Sequence, residues 1–292
     1  MTSVLILLST WNGGRYLAAQ LDSLLAQEVD AELTVLIRDD GSSDDTVAQI
    51  RRRQDPRIRL VAGENLGPRG SFFALLRMAQ EEAADFVALC DQDDVWRPDK
   101  LRRAIAMLGQ DEPGLYASSL ELVDEDLHPI ATFVHPGDRS FASTLLCNFV
   151  TGCTCVMNRA FLRPIAFPRH DGAVIMHDWW LASVATLGAR IVYDRESRIR
   201  YRQHAANHVG IRTGLGKLVG KWRFMRERGR VTRFDHARQL LDAAGQRLST
   251  AQRETLQAFL RAERSPMRRL GFVLRHRTGV GLPRALWFVA FG

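Results

Sequence analysis

Short apolar runs alternate with helix-like segments over the first ninety residues, and this alternation limits the fold more than any other feature of the chain. The runs SVLILL (3–8), LTVLI (33–37), IRLVA (58–62) and FVALC (86–90) have the length and branched-residue content of buried strands. The segments between them have helical spacing. Strands separated by helices of this size pair in parallel through right-handed crossovers. The sequence therefore predicts an α/β fold with a mostly parallel sheet flanked by helices.

Polar loops follow each of the four predicted strands. They read STWNGG (9–14), RDDGSSDD (38–45), GENLGPRG (63–70) and DQDD (91–94). Because ligands of parallel sheets bind at the carboxyl ends of the strands, these loops predict one shared site. The first strand is not followed by GxGxxG, and the chain holds no GxxxxGK[ST], which argues against dinucleotide oxidoreductases and P-loop NTPases.

The acidic stretch DQDDVWRPDKL predicts a metal site. Asp91, Asp93 and Asp94 lie close enough to raise one another's pKa unless a cation sits between them. Mg²⁺ and Mn²⁺ take oxygen ligands and are commonly shared with a diphosphate. The alternative is an acidic loop that caps the next helix, with Asp99 near its N-terminus. Three other ligand-like loops at the same sheet edge favour a divalent metal.

The loop RDDGSSDD places two carboxylates directly after a strand. Asp39 and Asp40 are then fixed at the sheet edge, and Gly41 permits a tight turn. A carboxylate here suits the N–H of a pyrimidine base or a ribose hydroxyl. Turn chemistry alone is the alternative, although it does not require two aspartates.

Charge divides the chain near residue 211. Residues 1–211 hold 22 Lys and Arg against 28 Asp and Glu, whereas residues 212–292 hold 18 against 5. We therefore expect one α/β domain over 1–211 and a basic helical extension over 212–292. In the extension, arginines interleave with Trp, Phe and Leu, a pattern typical of helices that lie on anionic membranes. Packing of the extension on the domain and dimerisation through its apolar stripe remain alternatives.

The four cysteines are predicted to be buried thiols. Cys90, Cys147, Cys153 and Cys155 form no paired CxxC knuckles, so neither a zinc site nor a disulfide framework is indicated. Cys153 and Cys155 are two positions apart on a predicted strand and are expected to face the same side. No run is long enough to cross a bilayer, and the N-terminus has no basic signal-peptide region, so we expect a cytoplasmic protein.

Seven motifs in order resemble a known family. STWN, RDDGSSDD, NLGPRGSF, DQDDVWRPDKL, TGCTCVMNRA, HDWWL and YRQHAANHVG are similar to motifs of the inverting GT-A glycosyltransferases of family 2, over residues 3–210. The forms DQDDVW…K and HDWW resemble the rhamnosyltransferase branch. The resemblance implies a Rossmann-like nucleotide-diphospho-sugar transferase fold, a nucleotide-sugar donor, and Mg²⁺ or Mn²⁺ as cofactor.

The resemblance also implies roles for individual residues. It places the nucleotide at Ser9, Trp11, Asp39, Arg69 and Asp91. It places the metal at Asp93 and His204, with Asp94 as a supporting candidate and Arg202 beside His204. Asp40, which follows the second predicted strand, and His177, which precedes Asp178, are further secondary candidates for the site.

The resemblance also assigns the general base, which lies in the segment HDWWLASVATLG. It predicts a helix that holds Asp178 in its first turn, and the family's base aligns with this residue. Trp179 and Trp180 would shape a sugar pocket beside it. The alternatives are helix capping for Asp178, core packing for the tryptophans, and His177 as the base.

Taken together, the motifs predict an inverting transferase that moves L-rhamnose from dTDP-L-rhamnose to a glycan or polyprenyl-linked hydroxyl in cell-surface polysaccharide synthesis. A UDP-hexose donor remains open, because two such pockets differ by one or two side chains. A metal-dependent nucleotidyltransferase and a non-catalytic nucleotide-sugar-binding scaffold are alternatives from other classes. Nucleic acid is not an expected partner, since the acidic loops repel phosphate backbones. Residues 212–292 are expected to contact the inner face of the plasma membrane.

Overall fold

A computed structural model describes residues 1–135, 138–204, 231–276 and 279–292. The predicted boundary near residue 211 lies outside these described residues. The strands are β1 (Ser3–Thr10), β2 (Glu32–Asp39), β3 (Ile58–Ala62), β4 (Phe86–Cys90), β5 (Val95–Trp96), β6 (Gly114–Ser118), β7 (Leu120–Val123), β8 (Pro129–Phe133), β9 (Val156–Asn158), β10 (Arg190–Asp194) and β11 (Ile199–Arg202). The helices are α1 (Leu17–Leu25), α2 (Thr46–Arg52), α3 (Gly67–Glu81), α4 (Lys100–Leu108), α5 (Phe141–Leu146), α6 (Arg159–Leu162), α7 (His177–Ala185), α8 (Arg233–Ala244), α9 (Thr250–Ala262), α10 (Pro266–His276) and α11 (Leu282–Phe291).

The main sheet has seven strands in the order β10-β6-β9-β4-β1-β2-β3. All neighbours pair in parallel except β9, which is antiparallel to both β4 and β6. A second sheet has the order β5-β11-β7-β8, and its strands β5, β7 and β11 follow the main-sheet strands β4, β6 and β10 in the chain. The predicted mostly parallel α/β sheet is therefore confirmed.

Both faces of the main sheet are buried, as expected for parallel strands flanked by helices. Successive residues of β1 show this directly, because Leu5 and Leu7 belong to one core while Val4, Ile6 and Leu8 belong to the other. The first core is covered by α3, α7 and the C-terminal helices, and the second by α1, α2 and α4.

The cysteines are free, and Cys90, Cys153 and Cys155 are buried as predicted, whereas Cys147 is only partly buried. The expectation that Cys153 and Cys155 share a side is wrong. Residues 152–154 form a 3₁₀ turn rather than a strand. This turn sends Cys153 into the second core and Cys155 into the first.

The C-terminal helices pack on the domain through phenylalanines. Phe234, Phe259, Phe272 and Phe288 are buried in the core that also contains residues of the main sheet. The rings of Phe234 and Phe259 lie 4.9 Å apart, and those of Phe259 and Phe288 lie 5.5 Å apart. Each such ring stabilises the packing by about 2 kcal/mol. Across the described residues, no helix is long and apolar enough to span a bilayer.

Candidate functional site

The predicted site residues lie at the carboxyl ends of three neighbouring strands. Thr10 at the end of β1 pairs in register with Asp39 at the end of β2. On the other side of β1, Leu8 pairs with Cys90, the last residue of β4. The loop that starts at Asp91 therefore emerges beside the residues that follow β1.

Asp39 is buried, and its carboxylate is fully oriented by local donors. One oxygen accepts hydrogen bonds from the hydroxyls of Thr10 (3.1 Å) and Ser42 (2.6 Å), and the other accepts from the Ser42 N–H (2.9 Å). This rigid carboxylate closes the turn at Gly41, where φ is +79°. The turn chemistry expected from RDDGSS is thus present around Asp39.

Asp40 is used differently from Asp39. Its carboxylate forms a buried ion pair with Arg38 and accepts the N–H of Leu66 at 2.8 Å. The Arg38 guanidinium also donates to Ser71, whose hydroxyl accepts from Ser9 at 2.7 Å. Asp40 therefore anchors the loop before α3, and Ser9 is tied to the same network.

Trp11 projects from the site, with 51% of its surface exposed. The side chain of Gln92 fixes its backbone by accepting the Trp11 N–H at 2.8 Å and donating to the Trp11 carbonyl at 3.1 Å. A side chain at Gly13 would collide with Gln92, since an added Cβ would lie 2.2 Å from Oε1. Gln92 lies within DQDD, and no sequence pattern predicts its contact with Trp11.

The acidic loop concentrates negative charge in a confined space. Burial, followed by the charges of Asp93 and Asp178, raises the pKa of the Asp91 carboxyl to about 7. Burial and the charges of Asp93 and Asp91 raise the pKa of Asp94 well above its usual range. Asp94 is completely buried, and in the described part of the chain its Oδ2 has no hydrogen-bond partner. The site therefore carries a surplus of carboxylate that a cation would offset.

Two sets of residues at the acidic loop, each completed by a residue from elsewhere in the chain, have metal-ligand chemistry. Ligand atoms of Asp91, Asp94 and Cys153 lie within 4.8 Å of one another. Burial and the two carboxylates raise the pKa of the Cys153 thiol well above its usual range, so this sulfur stays protonated and is a poor ligand for a hard cation. The carboxylates fit Mg²⁺ or Mn²⁺, and the thiol does not.

The second set is the predicted pair Asp93 and His204. The Nε2 atom of His204 lies 2.9 Å from Oδ2 of Asp93, and the imidazole packs against the ring of Tyr16 at 4.8 Å. Arg202 donates from Nε to the Asp93 carbonyl at 2.8 Å, and its backbone N–H donates to Asp94 at 3.1 Å. Strand β11 and the residues that follow it thus bring Arg202 and His204 against the acidic loop.

Asp178 lies in the first turn of α7 and is 9% exposed. Its two oxygens accept the N–H of Gly152 at 3.2 Å and the N–H of Trp179 at 2.6 Å. Gly152 is followed by Cys153, whose sulfur lies within 4.8 Å of a carboxylate oxygen of Asp91, so Asp178 and the acidic loop border the same space. In agreement with this, the charge of Asp178 helps to raise the pKa of Asp91. A Cβ at Gly152 would lie 2.8 Å from the imidazole of His177, so a glycine is required there.

The aromatic neighbours of Asp178 are largely structural. Trp180 is fully buried in the core and donates its indole N–H to the Ala166 carbonyl at 3.0 Å. The prediction that Trp180 shapes a pocket is therefore wrong, and core packing accounts for it. Trp179 is partly exposed and donates to the Thr144 carbonyl at 2.7 Å. His177 is buried and stacks on Phe72 with ring centroids 4.1 Å apart.

Arg69 in α3 reaches toward the segment before α7. Its Nη1 donates to the Val174 carbonyl at 2.6 Å. Burial lowers its pKa, and the nearby Asp171 opposes that change. Arg69 therefore connects α3 to the segment that leads into α7.

Lys100 lies beneath the acidic loop and is completely buried. Its ammonium sits 3.4 Å from the centroid of the Trp96 ring, a cation–π contact. Burial lowers the pKa of Lys100 to about 8, against the opposing charge of Asp94. The motif DQDDVW…K contained this lysine, but its position under the carboxylates follows only from the fold.

Comparison with known proteins agrees with this arrangement. Residues 5–166 match the family described as Glycosyl transferase family 2, which covers more than half of the chain. The chain belongs to glycosyl transferase family 2. The predicted family resemblance is thereby confirmed, and the protein is a glycosyltransferase.

Individual relatives differ in the sugar that their names specify. The dTDP-rhamnosyl transferase RfbG of Shigella flexneri is 26% identical over 242 residues, which span 74% of this chain and 80% of the relative. The UDP-Glc:alpha-D-GlcNAc-diphosphoundecaprenol beta-1,3-glucosyltransferase WfgD of Escherichia coli is 30% identical over 167 residues, which span 56% of this chain and 64% of the relative. The S. aureus TarS fragment 1–349, crystallised with UDP-GlcNAc, superposes with a TM-score of 0.61 at 16% identity, covering 89% of this chain and 71% of that one. This last likeness confirms the GT-A fold.

Proposed function

We propose that the protein is a metal-dependent, inverting glycosyltransferase that moves a sugar from a nucleoside diphosphate to an acceptor hydroxyl. The observation that carries the proposal is the position of Asp178. Its carboxylate is held by two backbone N–H groups and faces the acidic loop closely enough to act on Asp91. Inverting transfer needs one such base opposite a site that holds the leaving diphosphate.

Asp178 is the proposed base. It accepts the proton of the acceptor hydroxyl while that oxygen bonds to the anomeric carbon, and the bond to the diphosphate breaks with its electron pair on the leaving group. His177 is a weaker candidate, because its ring is stacked on Phe72 and buried behind Gly152.

The acidic loop is the proposed metal site. Asp93 and His204 would hold Mg²⁺ or Mn²⁺, with Asp91 facing the nucleotide and Asp94 buried behind them. The ion would neutralise charge on the diphosphate. Arg202 supports this loop through its bonds to the Asp93 carbonyl and the Asp94 carboxylate.

The proposed nucleotide site lies along the ends of β1 and β2. Asp39 would read the base, Trp11 would stack on it from its exposed position, and Arg69 would approach the diphosphate. Ser9 belongs to the network that positions the neighbouring loop. We favour dTDP-L-rhamnose as donor, in line with the motif forms and with one relative, and UDP-glucose as the second candidate, in line with another relative.

The proposed acceptor is a sugar carried on a polyprenyl diphosphate, in the synthesis of a surface polysaccharide. Helices α10 and α11 support this, since they expose large apolar side chains on the surface: Met267, Leu270, Leu274, Leu282, Leu286 and Phe291. Exposed arginines flank these residues, among them Arg268 and Arg275. Such a surface suits the headgroup layer of an anionic membrane, so we place the protein on its cytoplasmic face.

The test is a transfer assay with dTDP-L-rhamnose and UDP-glucose, each with an alkyl-diphosphate-linked acceptor and Mn²⁺. We expect transfer from one donor, with an anomeric configuration opposite to that of the donor when the product is examined by NMR. Retention of configuration would rule out single displacement with Asp178 as base. Formation of a nucleotide-sugar from a sugar 1-phosphate would indicate a nucleotidyltransferase instead.

A further inference from the structure

Three arginines from separate parts of the chain converge beside the site, away from the acidic loop. Arg139 precedes α5, Arg195 follows β10, and Arg284 lies in the first turn of α11. The guanidinium of Arg139 sits 4.1 Å from the ring centroid of Tyr193. A Cβ built on Gly279, just before α11, would lie 2.8 Å from the Cβ of Asp138, so the start of α11 lies against the residue that precedes Arg139. In agreement with this, and besides burial, Arg195 helps to lower the pKa of Arg139, and Arg284 and Arg139 help to lower the pKa of His135. We call Arg139, Arg195 and Arg284 the arginine cluster.

Acidic side chains offset little of this positive charge. Within the described ranges, none of the three arginines forms an ion pair with a carboxylate. Asp138 acts on Arg139, but its carboxylate accepts hydrogen bonds from Ser140 and Ser143 instead.

Two buried polar atoms in the same place lack partners. The Nε atom of Arg139 and the Nδ1 atom of His135 have no hydrogen-bond partner in the part of the chain that the structure describes. Burial and the two arginines lower the pKa of His135 to about 4, so its imidazole is neutral at pH 7. Buried donors beside unopposed cations are suited to binding an anion.

A short chain of contacts connects this cluster to Asp178. The backbone N–H of His135 donates to the Tyr193 hydroxyl at 2.8 Å, and its Nε2 lies 2.9 Å from the hydroxyl of Thr151. The next residue, Gly152, donates its N–H to the Asp178 carboxylate. The cluster therefore lies next to the loop that holds the proposed base, and on the side of α11.

We propose that the arginine cluster binds the diphosphate that links the acceptor sugar to its lipid. This inference rests on the proposed function and names the group by which the enzyme recognises its acceptor. Helix α11 carries both Arg284 and the exposed apolar residues Leu282 and Leu286. A lipid in the membrane, a diphosphate at the arginines and a sugar at Asp178 then follow one another along the surface. Arginine is well suited to this task because its planar fork pairs with phosphate oxygens.

The first experiment measures pyrophosphate binding by calorimetry in EDTA. Without metal, the acidic loop repels pyrophosphate, and the part of the binding that is lost with Arg139 and Arg284 measures the arginine cluster independently of catalysis. The double variant Arg139→Gln/Arg284→Gln should weaken binding at least about tenfold. The control variant Arg261→Gln/Arg275→Gln loses the same charge from exposed positions and should bind as the wild type does. Equal loss in both variants, or no binding by the wild type, would overturn the proposal.

The second experiment compares two acceptors that carry the same sugar, one on an alkyl diphosphate and one on a neutral alkyl chain. Arg284→Gln, an exposed substitution that leaves the core intact, should raise KM for the first acceptor several-fold and leave kcat and the second acceptor unchanged. Equal effects on both acceptors would contradict a diphosphate site. If Arg284→Gln weakens binding to phosphatidylglycerol vesicles but not to pyrophosphate, the arginine cluster binds lipid headgroups and the proposal is wrong. Absence of transfer in the wild type would instead count against the proposed function. The binding experiment tests the arginine cluster separately, because it does not require transfer.

Discussion

Replacing Asp178 by Asn removes the proposed base with little change of shape. The Gly152 and Trp179 N–H groups bind different oxygens of Asp178, so the asparagine NH2, which cannot accept, faces one of them and that hydrogen bond is lost. Loss of one hydrogen bond at this nearly buried position costs about 1–3 kcal/mol. That destabilisation lowers the melting temperature by only several degrees in a protein of this size. The variant is therefore expected to fold.

The effect on turnover should be much larger than the effect on stability. A positioned general base accelerates a reaction by about 10² to 10⁴-fold, so kcat should fall by that factor. Nucleotide affinity should stay within about threefold of the wild type, because Asp178 touches the acceptor side. The assay is steady-state transfer together with calorimetric titration of the nucleotide.

Asp171→Asn is a matched control for this prediction. Asp171 lies seven residues before Asp178 and forms an exposed pair with Arg77, at 2.6 Å and 2.8 Å. Loss of this ion pair should leave kcat within a factor of about two. Surface ion pairs contribute only about 1 kcal/mol or less to the free energy of unfolding, so the variant should fold as the wild type does. Turnover by Asp178→Asn within tenfold of the wild type would refute the assignment of the base.

Three further substitutions test other parts of the site and fold. Gly152→Ala should lower kcat strongly, since its Cβ would lie 2.8 Å from His177, whereas Gly271→Ala in α10 meets nothing within 4 Å and should be neutral in the same assay. Asp93→Asn should weaken Mn²⁺-dependent nucleotide binding at least about tenfold by calorimetry, and an unchanged metal titration would contradict the metal site. Burial lowers the pKa of His236 to about 3, below its unfolded value near 6.5, so the unfolded chain takes up the proton first and stability falls as pH drops below 6.5. His236 alone contributes about 2 kcal/mol to this loss at pH 5, so in urea unfolding His236→Gln should lose about that much less stability than the wild type as the pH falls to 5.

Much of the fold was predictable because local patterns determine it. The first four strands and the helices between them follow from apolar periodicity, and their parallel pairing follows from the length of the connections. The antiparallel insertion of β9 between β4 and β6 was not predictable. It depends on pairing between residues far apart in the chain, and VTGCTCVMN carries no signal that distinguishes the 3₁₀ turn at 152–154 from a strand.

The candidate site was predictable as a set of loops but not as a set of contacts. Strand order places Asp39 and Asp91 at one edge of the main sheet. Only the packed structure shows that Asp40 forms a buried ion pair with Arg38 and that Trp180 belongs to the core. Gln92 and Lys100 stood within a recognised motif without an assigned role. Their roles arise from partners that the fold brings to them, namely the Trp11 backbone and the Trp96 ring.

Calorimetric titration of the purified protein with dTDP and with UDP, each with and without Mn²⁺, tests the central claim most directly. The proposed site predicts tight binding of one nucleotide that requires the metal, because the carboxylates of the acidic loop repel a diphosphate unless a cation bridges them. The nucleotide that binds then identifies the base of the donor. Equal binding with and without metal would contradict the metal site, and no binding of either nucleotide would contradict the proposed transferase function.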